Sequence, residues 1–274
     1  MGSKITRMKE LYMEGTLLEK IYSIIVGPFQ STPKQETDNY SLSHINKSQD
    51  YESIFIDNPG TKMIWDLEQL ALKNIFSQRS FNRHLDFAGG TGRIAAFIEG
   101  QCDEQYILDI SEQMLSVARK KLPNCNIICK NFNDGISELN RVKFDLITAF
   151  RFFPNAERDL RFQAMQFISS KLDKGGFLVC NNHRNFWSPS YIILRLTLLG
   201  GRTGMTHGQM LDLTSRLGLE LVETHSMGVI PQTEKRTIFL SWKITKIIET
   251  LIYKISGKKH VFGYNIIYVF RKIS

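Results

Sequence analysis

Hydrophobic and polar positions follow two patterns along most of the chain. After Arg83, short apolar runs alternate with stretches in which apolar residues recur at helical spacing. This alternation predicts parallel strands connected by helices that cover both faces of a sheet. Helices are expected at Ile94–Ile98, Ser111–Lys121, Ala156–Leu172 and Gly208–Leu217. Strands are expected at His84–Ala88, Gln105–Ile110, Asn126–Cys129, Phe144–Phe150, Phe177–Asn181, Leu219–Met227 and Asn265–Lys272.

The segment before these runs has a different character. Apolar residues recur at helical intervals from Lys4 to Val26, and the polar segment Gln30–Gln49 predicts a loop or linker. A further helix is expected from Pro59-Gly60 to about Phe76, because proline suits the first helical turn. We therefore predict an N-terminal helical cap and linker over residues 1–78.

The predicted domain over residues 79–274 contains an insertion at residues 231–262. Within it, Thr237–Ser256 has apolar residues at helical spacing beside several lysines. This pattern predicts an amphipathic helix, and packing of its apolar stripe onto the sheet is the simplest interpretation. A substrate lid, a peripheral membrane contact and a dimer helix are the alternatives.

A glycine-rich turn follows the first predicted strand, in the segment His84–Arg93 (HLDFAGGTGR). Glycine permits positive φ angles and close approach of a ligand, and the following helix N-terminus offers backbone N–H groups. The second predicted strand ends in Asp109, where an acidic residue can accept hydrogen bonds from ribose hydroxyls. By themselves these features also fit a dinucleotide-binding fold, or an ordinary turn with Asp109 as a helix cap.

The order of these motifs resembles that of class I S-adenosylmethionine-dependent methyltransferases. Asp86–Gly92 is similar to the first motif, in the D-x-A-G-G-T-G form of quinone-biosynthesis methyltransferases, and Tyr106–Leu115 resembles the acidic second motif. Phe144–Thr148 resembles the fourth strand, and Leu172–Val179 the turn before the fifth, with Lys174 in place of the usual proline. The resemblance implies a Rossmann-like three-layer α/β sandwich. Its seven-stranded sheet is expected to be mostly parallel, with an antiparallel last strand.

The resemblance also implies S-adenosyl-L-methionine as the cofactor and suggests which residues hold it. Asp86 would orient the methionine amino group, Gly90 and Gly92 would admit the ligand, and Asp109 would hold the ribose. Asn131 stands where the family usually has an aspartate near the adenine amine, and its amide oxygen can accept that hydrogen bond. A turn asparagine is the alternative interpretation. The predicted set is Asp86, Ala88, Gly89, Gly90, Gly92, Asp109, Ile110, Met114, Asn131, Phe132 and Phe150.

Candidate acceptor-binding residues follow the fourth and fifth strands, because ligands of open α/β sheets bind beyond the carboxyl ends of the strands. His183 is predicted as a base, since the pKa of imidazole near ~6.5 suits proton transfer at neutral pH. Arg151 and Arg184 could clamp a phosphate or carboxylate. A loop histidine bonded to the backbone and two surface arginines are the structural alternatives. His207 precedes a helix and is interpreted as structural.

Charge and cysteine content bear on the partners. The chain has 35 basic and 27 acidic residues, a formal net charge of +8, which favours anionic partners. The basic residues are dispersed, so nucleic acid is not the expected partner. The four cysteines lack metal-ligand spacing and are predicted as reduced core thiols, without a metal site. Neither a spanning run nor a leader is apparent, and a cytoplasmic location is expected.

The leading hypothesis is methyl transfer to a small-molecule, glycan-precursor or lipid-linked acceptor. An RNA or protein methyltransferase is one alternative, favoured by the net charge. A catalytically silent binding protein with this fold is another, and a nicotinamide-dependent oxidoreductase fits the motif order poorly. The sequence leaves the acceptor atom, the pathway and the oligomeric state open.

Overall fold

The computed structural model describes residues 57–77, 79–196, 204–232 and 240–274. The predicted helix Lys4–Val26 and the predicted linker Gln30–Gln49 lie outside these residues. The strands are β1 (Phe81–Phe87), β2 (Cys102–Asp109), β3 (Asn126–Cys129), β4 (Phe144–Ala149), β5 (Leu172–Asn182), β6 (Leu219–Met227) and β7 (Asn265–Lys272). The α-helices are α1 (Pro59–Phe76), α2 (Arg93–Phe97), α3 (Glu112–Lys121), α4 (Arg158–Lys171), α5 (Pro189–Leu196), α6 (His207–Ser215) and α7 (Trp242–Ser256).

The strands form one seven-stranded sheet in the order β3-β2-β1-β4-β5-β7-β6. Strands β1 to β5 pair in parallel, and β7 runs antiparallel between β5 and β6. This confirms the predicted Rossmann-like fold with an antiparallel last strand. The parallel strands end at one edge, called here the carboxyl edge, and this is the edge at which open α/β sheets bind ligands.

Both faces of the sheet are covered, so the central strands read as continuous apolar runs rather than as alternating ones. One face packs against α4 and α6 through residues such as Met165 and Met210. The other face packs against α1 through Leu67 and Ile75, together with Tyr253 of α7. Helix α1 therefore shares a core with the sheet.

Strands β1 and β2 each begin three residues before the predicted start, and larger differences from the sequence-based expectation are found at α5 and β5. Helix α5 was not predicted, although Pro189 gives a start signal at its first position. Strand β5 begins at Leu172 instead of Phe177, because Leu172 pairs with Phe144 ahead of a register shift, within a segment where Gly175 has a φ of +84°.

The prediction that the cysteines are core thiols is correct only for Cys180. Cys102 and Cys125 are half-buried, and Cys129 is exposed because β3 is an edge strand. Burial raises the pKa of the Cys125 thiol to about 12, so this group stays protonated at neutral pH.

The simplest interpretation of the late insertion is wrong, because the apolar stripe of α7 does not pack onto the sheet. Four of its six large aliphatic side chains are exposed, Ile248 and Ile252 are half-buried, and the residues that it buries are Thr245, Glu249 and Tyr253. Hydrogen bonds from the N–H groups of Gly228 and Ile230 hold the Glu249 carboxylate inside. Nowhere in the described ranges is a helix both long and apolar enough to cross a membrane.

Candidate functional site

Strand β1 leads into a turn that contains three residues with positive φ. Ala88, Gly90 and Gly92 have φ angles of +53°, +54° and +70°. Glycine adopts this conformation without strain, whereas it is uncommon for a residue with a side chain. A Cβ atom on Gly90 would lie 2.6 Å from Cε of Met114. A side chain at this position would therefore displace Met114 and hold a strained backbone conformation.

Asp86 is buried beneath this turn, with 1% of its surface exposed. Its Oδ2 accepts a hydrogen bond from the N–H of Ala95 (3.3 Å), and its Oδ1 accepts one from the Thr148 hydroxyl (2.7 Å). The Thr148 hydroxyl has one proton, so it accepts in turn from Nε2 of His84 at 2.8 Å. Burial raises the pKa of Asp86 to about 6 and lowers the pKa of His84 to about 3, so His84 is neutral.

Asp109 connects the turn to α3. Its Oδ2 accepts from the N–H of Gly90 (2.9 Å), and its Oδ1 accepts from the N–H of Ser111 (2.9 Å). The helix cap is Ser111, whose hydroxyl accepts from the N–H of Met114 at 3.4 Å. Each carboxylate oxygen has two acceptor positions, and each of these two backbone bonds uses one of them.

A pocket that is partly open to solvent lies beside Asp109, and its empty space, together with the open solvent at its mouth, is about 430 Å³. Most of its walls are apolar or aromatic, as is usual for small-molecule sites. Five of the eleven predicted cofactor residues line it, namely Ala88, Asp109, Ile110, Asn131 and Phe132. The other lining residues are Phe87, Leu108, Lys130, Phe152 and Leu160.

Asn131 has the geometry of a turn asparagine. Its Oδ1 accepts from the N–H of Asn133 (3.0 Å), and this bond starts a 3-10 helix at Phe132. The Phe132 ring packs 5.3 Å from the Phe87 ring at the pocket wall. Asn131 thus lines the pocket while its Oδ1 accepts a hydrogen bond from the backbone. A carbonyl oxygen of this kind can accept a second hydrogen bond.

The predicted contact Phe150 does not line this pocket. Its side chain is buried in the cluster that packs against α1. The pocket contact from this loop is Phe152, which packs 5.1 Å from Phe87. The sequence-based prediction took Phe150 because it is the first aromatic residue after β4. The side chain of Phe150 points to the α1 side of the sheet, and Phe152 lines the pocket instead.

The loops after β4 and β5 are joined by Asn155, which sequence reasoning did not identify. Its Nδ2 donates to the carbonyl oxygen of Arg151 (2.7 Å), and its Oδ1 accepts from Nη1 of Arg184 (2.9 Å). Arg151 has a φ of +61°, and its N–H donates to Oδ1 of Asn181 at 2.7 Å. Non-glycine residues in this conformation are concentrated at functional sites. The backbone of Arg151 and the guanidinium of Arg184 therefore belong to one network at the carboxyl edge.

The two candidate histidines lie near these loops. His183 directly follows β5 and is 5% exposed, so it can take part in proton transfer only with a group that enters the site. His207 opens α6 after the cap residue Thr206, and its Nδ1 lies 3.1 Å from the Tyr268 hydroxyl. Burial lowers the pKa of His207. These contacts support the structural interpretation of His207.

A buried carboxylate on α1 also reaches the carboxyl edge. Glu68 is fully buried, and its Oε1 accepts from Nδ2 of Asn265 (2.8 Å) and Nδ2 of Asn181 (3.1 Å). Its Oε2 accepts from Nη1 of Arg93 (3.2 Å), whose guanidinium lies 3.9 Å from the centre of the Trp65 ring. Three donors compensate for the burial of this charge. Glu68 therefore fastens α1 to the sheet and to the start of α2.

Comparison with known families identifies the part of the chain that contains this site. Residues 85–178 match the model of a family described as a methyltransferase domain. The chain carries a methyltransferase domain. The match includes the glycine turn, Asp109 and the pocket residues up to Leu160. No curated protein matches the sequence.

Solved structures similar to this methyltransferase include N-methyltransferase NodS from Bradyrhizobium japonicum WM9, crystallised with S-adenosylhomocysteine. The TM-score is 0.57 at 15% identity, over 86% of this chain and 100% of that chain. A possible histamine N-methyltransferase from Thermotoga maritima gives a TM-score of 0.56 at 15% identity, over 81% and 94%. The plantazolicin methyltransferase BpumL, in complex with S-adenosylhomocysteine and a desmethyl analog, gives 0.56 at 13% identity, over 86% and 96%. At these identities the likeness shows the fold.

The family match and the fold confirm the prediction of a class I S-adenosylmethionine-dependent methyltransferase, with S-adenosylmethionine as its cofactor. The specific similarity to quinone-biosynthesis enzymes stays a prediction from the first motif. The domain boundaries and the roles of individual site residues also stay predictions.

Proposed function

We propose that this methyltransferase acts on an anionic small-molecule acceptor, bound at the carboxyl edge between the loops after β4 and β5. The observation that supports the proposal most directly is that Asn155 joins the backbone carbonyl of Arg151 to the guanidinium of Arg184, which brings the two arginine-bearing loops together. Guanidinium groups bind carboxylates and phosphates through paired, charge-assisted hydrogen bonds. A glycan precursor or a lipid-linked acceptor with such a group falls within the proposal.

The pocket beside Asp109 suits the adenosyl part of the cofactor. Its aromatic and aliphatic walls, Phe87, Phe132, Phe152 and Leu160 among them, suit a flat base. Asp109 would accept from ribose hydroxyls, and Asn131 would contact the adenine amine. The side-chain-free turn at Gly90 fits the close approach of a ligand to the backbone. When bound, S-adenosylmethionine supplies an activated methyl group on a sulfonium centre.

The remaining task of the protein is to position the acceptor and to manage its proton. Arg151 and Arg184 would fix the anionic group, so that the nucleophilic atom is held at attack distance. His183 would accept the proton that an acceptor hydroxyl loses. The cofactor-facing residues and these acceptor-facing residues follow different strands, so substitutions can separate the two roles.

The first experiment is a calorimetric titration of the purified chain with S-adenosylhomocysteine, with NADH as the control ligand. We expect saturable one-site binding of S-adenosylhomocysteine alone. An acceptor screen with matched anionic and neutral metabolites would follow. Absence of S-adenosylhomocysteine binding would favour a catalytically silent protein, and methylation of RNA or protein alone would contradict a small-molecule acceptor.

For an acceptor found in this screen, Arg184→Gln should raise KM about tenfold or more, because a charge-assisted hydrogen bond is lost. His183→Ala should lower kcat, and both variants should keep the affinity for S-adenosylhomocysteine. Arg216→Gln, at an exposed position after α6, is the matched control. A normal KM in Arg184→Gln would refute the arginine assignment. A cytoplasmic location stays a prediction from the sequence.

A further inference from the structure

Helix α7 is amphipathic, but its apolar face points to the surface and its polar face points to the core. Four large aliphatic residues of this helix are exposed: Ile244 by 48%, Ile247 by 61%, Leu251 by 52% and Ile255 by 72%. At 100° per residue, these four positions fall within an arc of about 80°. They form one continuous strip, called here the α7 strip. Scattered surface hydrophobes are common, but a continuous strip indicates a binding surface.

The buried face of α7 is polar and fixes the rotation of the helix. Glu249 is fully buried, and its carboxylate accepts from the N–H groups of Gly228 (3.0 Å) and Ile230 (2.5 Å). The hydroxyl of Tyr253 lies 2.8 Å from Nδ1 of His225. Turning the α7 strip toward the core would break these bonds and leave buried backbone N–H groups without an acceptor, at a large free-energy penalty. The outward direction of the strip is therefore built into the fold.

Cationic side chains accompany the α7 strip. Lys243 and Lys254 are exposed and border it on one side, and Lys258 and Lys259 are exposed directly after the helix. Within Trp242–Ser256 the single acidic residue is Glu249, whose charge is buried on the opposite face. The outward surface of α7 thus combines a broad apolar strip with positive charge. This combination is typical of helices that lie in the plane of a membrane interface.

We propose that α7 docks this chain on an anionic phospholipid surface, with the α7 strip among the acyl chains and the lysines against the headgroups. Charge complementarity favours this partner over a second copy of the chain, because two α7 strips in contact would bring their lysines together. The bonds from Gly228 and Ile230, which follow β6, place the docked helix beside the carboxyl edge. The proposal rests on α7 alone and holds whatever the methyl acceptor is.

The test is co-sedimentation of the full chain with vesicles of phosphatidylcholine, with and without about 30% phosphatidylglycerol. We expect partition onto the anionic vesicles that weakens as salt is added. The double variant Ile247→Gln with Leu251→Gln should lose at least about tenfold in partition, because both apolar side chains leave the interface. Lys243→Gln with Lys254→Gln should lose partition on the anionic vesicles only.

Phe162→Gln is the matched control, because this residue is an exposed apolar side chain on α4, 41% exposed. It should partition like the wild type. Titration with S-adenosylhomocysteine verifies that each variant is folded, and light scattering without vesicles reports self-association. Three results would each overturn the proposal: no partition onto anionic vesicles at low salt, full partition of the Ile247 and Leu251 variant, or a vesicle-independent dimer that this variant dissolves.

Discussion

Replacing Asp86 with asparagine removes an ionisable group from the interior while keeping the shape of the side chain. The folded-state pKa of about 6 lies above the ordinary value of 3.8, so ionisation of Asp86 opposes folding. Protonated Asp86 therefore makes a contribution to the free energy of unfolding that is present at low pH and lost as the pH rises through about 6. The wild type should show this loss, and Asp86→Asn should not.

The magnitude follows from the two pKa values. Above pH 7 the buried carboxylate destabilises the wild type by about 3 kcal/mol, and at pH 5 by about half as much, because most of it is then protonated in the folded state. The free energy of unfolding of Asp86→Asn relative to the wild type should therefore rise by about 1 kcal/mol from pH 5 to pH 8.

Hydrogen bonding adds a contribution that does not depend on Asp86 ionisation. In the Asp86→Asn variant, the amide oxygen of the new side chain could accept from Ala95, and its amide nitrogen could donate to Thr148. The Thr148 hydroxyl would then donate to Nε2 of His84, which moves the imidazole proton to Nδ1. Among the described residues this atom has no hydrogen-bond partner, so the rearrangement costs about 1 kcal/mol or more at either pH.

The assay is urea denaturation at pH 5 and pH 8 without cofactor, supported by thermal unfolding, in which the gap should grow by about 3 °C. Asp212→Asn, at an exposed position on α6, should follow the wild type at both pH values. A stability difference between Asp86→Asn and the wild type that stays constant or shrinks toward pH 8 would refute the reasoning. At pH 8 the same variant should bind S-adenosylhomocysteine about tenfold more weakly, if Asp86 orients the amino group.

Three further substitutions test other parts of the site. Gly90→Val should abolish S-adenosylhomocysteine binding and lower the melting temperature, because a Cβ there meets Met114 at 2.6 Å and φ is +54°. Gly100→Val is the control, because Gly100 also has a positive φ but open space around it, so this variant shows the effect of backbone strain without crowding. Asp109→Ala should weaken S-adenosylhomocysteine binding at least about tenfold in calorimetry, and unchanged affinity would exclude its ribose role. Glu68→Ala should destabilise the fold by about 3 kcal/mol or more in urea denaturation, since Arg93 and two asparagines lose a buried acceptor. The exposed Glu220→Ala should stay within about 0.5 kcal/mol of the wild type.

The sequence predicted those features whose causes lie close together along the chain. The glycine turn, Asp109 and the bounds of β3, β6 and β7 follow from local periodicity and from backbone requirements at single positions. Glu68 was missed because its partners Asn181 and Asn265 are 113 and 197 residues away. Asn155 was missed for the same reason, since its role depends on where the loop after β5 folds.

The direction of α7 shows a second limit of sequence reasoning. An amphipathic pattern has the same period whichever face is buried, so the pattern predicted the helix and not its rotation. The rotation depends on Glu249 finding two backbone N–H groups after β6. The available signal in the sequence was Glu249, a single acidic residue opposite the aliphatic stripe. The sequence did not show that Gly228 and Ile230 would bind this carboxylate in the interior.

The position of β7 has a consequence for how the sheet assembles during synthesis. β7 is the last of the described strands in sequence order, yet it lies inside the sheet between β5 and β6. While the ribosome is still making α7, β6 has no neighbouring strand among the described elements, whereas β1 to β5 can already associate. In the nascent chain, β1 to β5 can therefore pair first, and β6 stays unpaired until β7 has been synthesised. This interval is when the chain is most exposed to aberrant strand pairing.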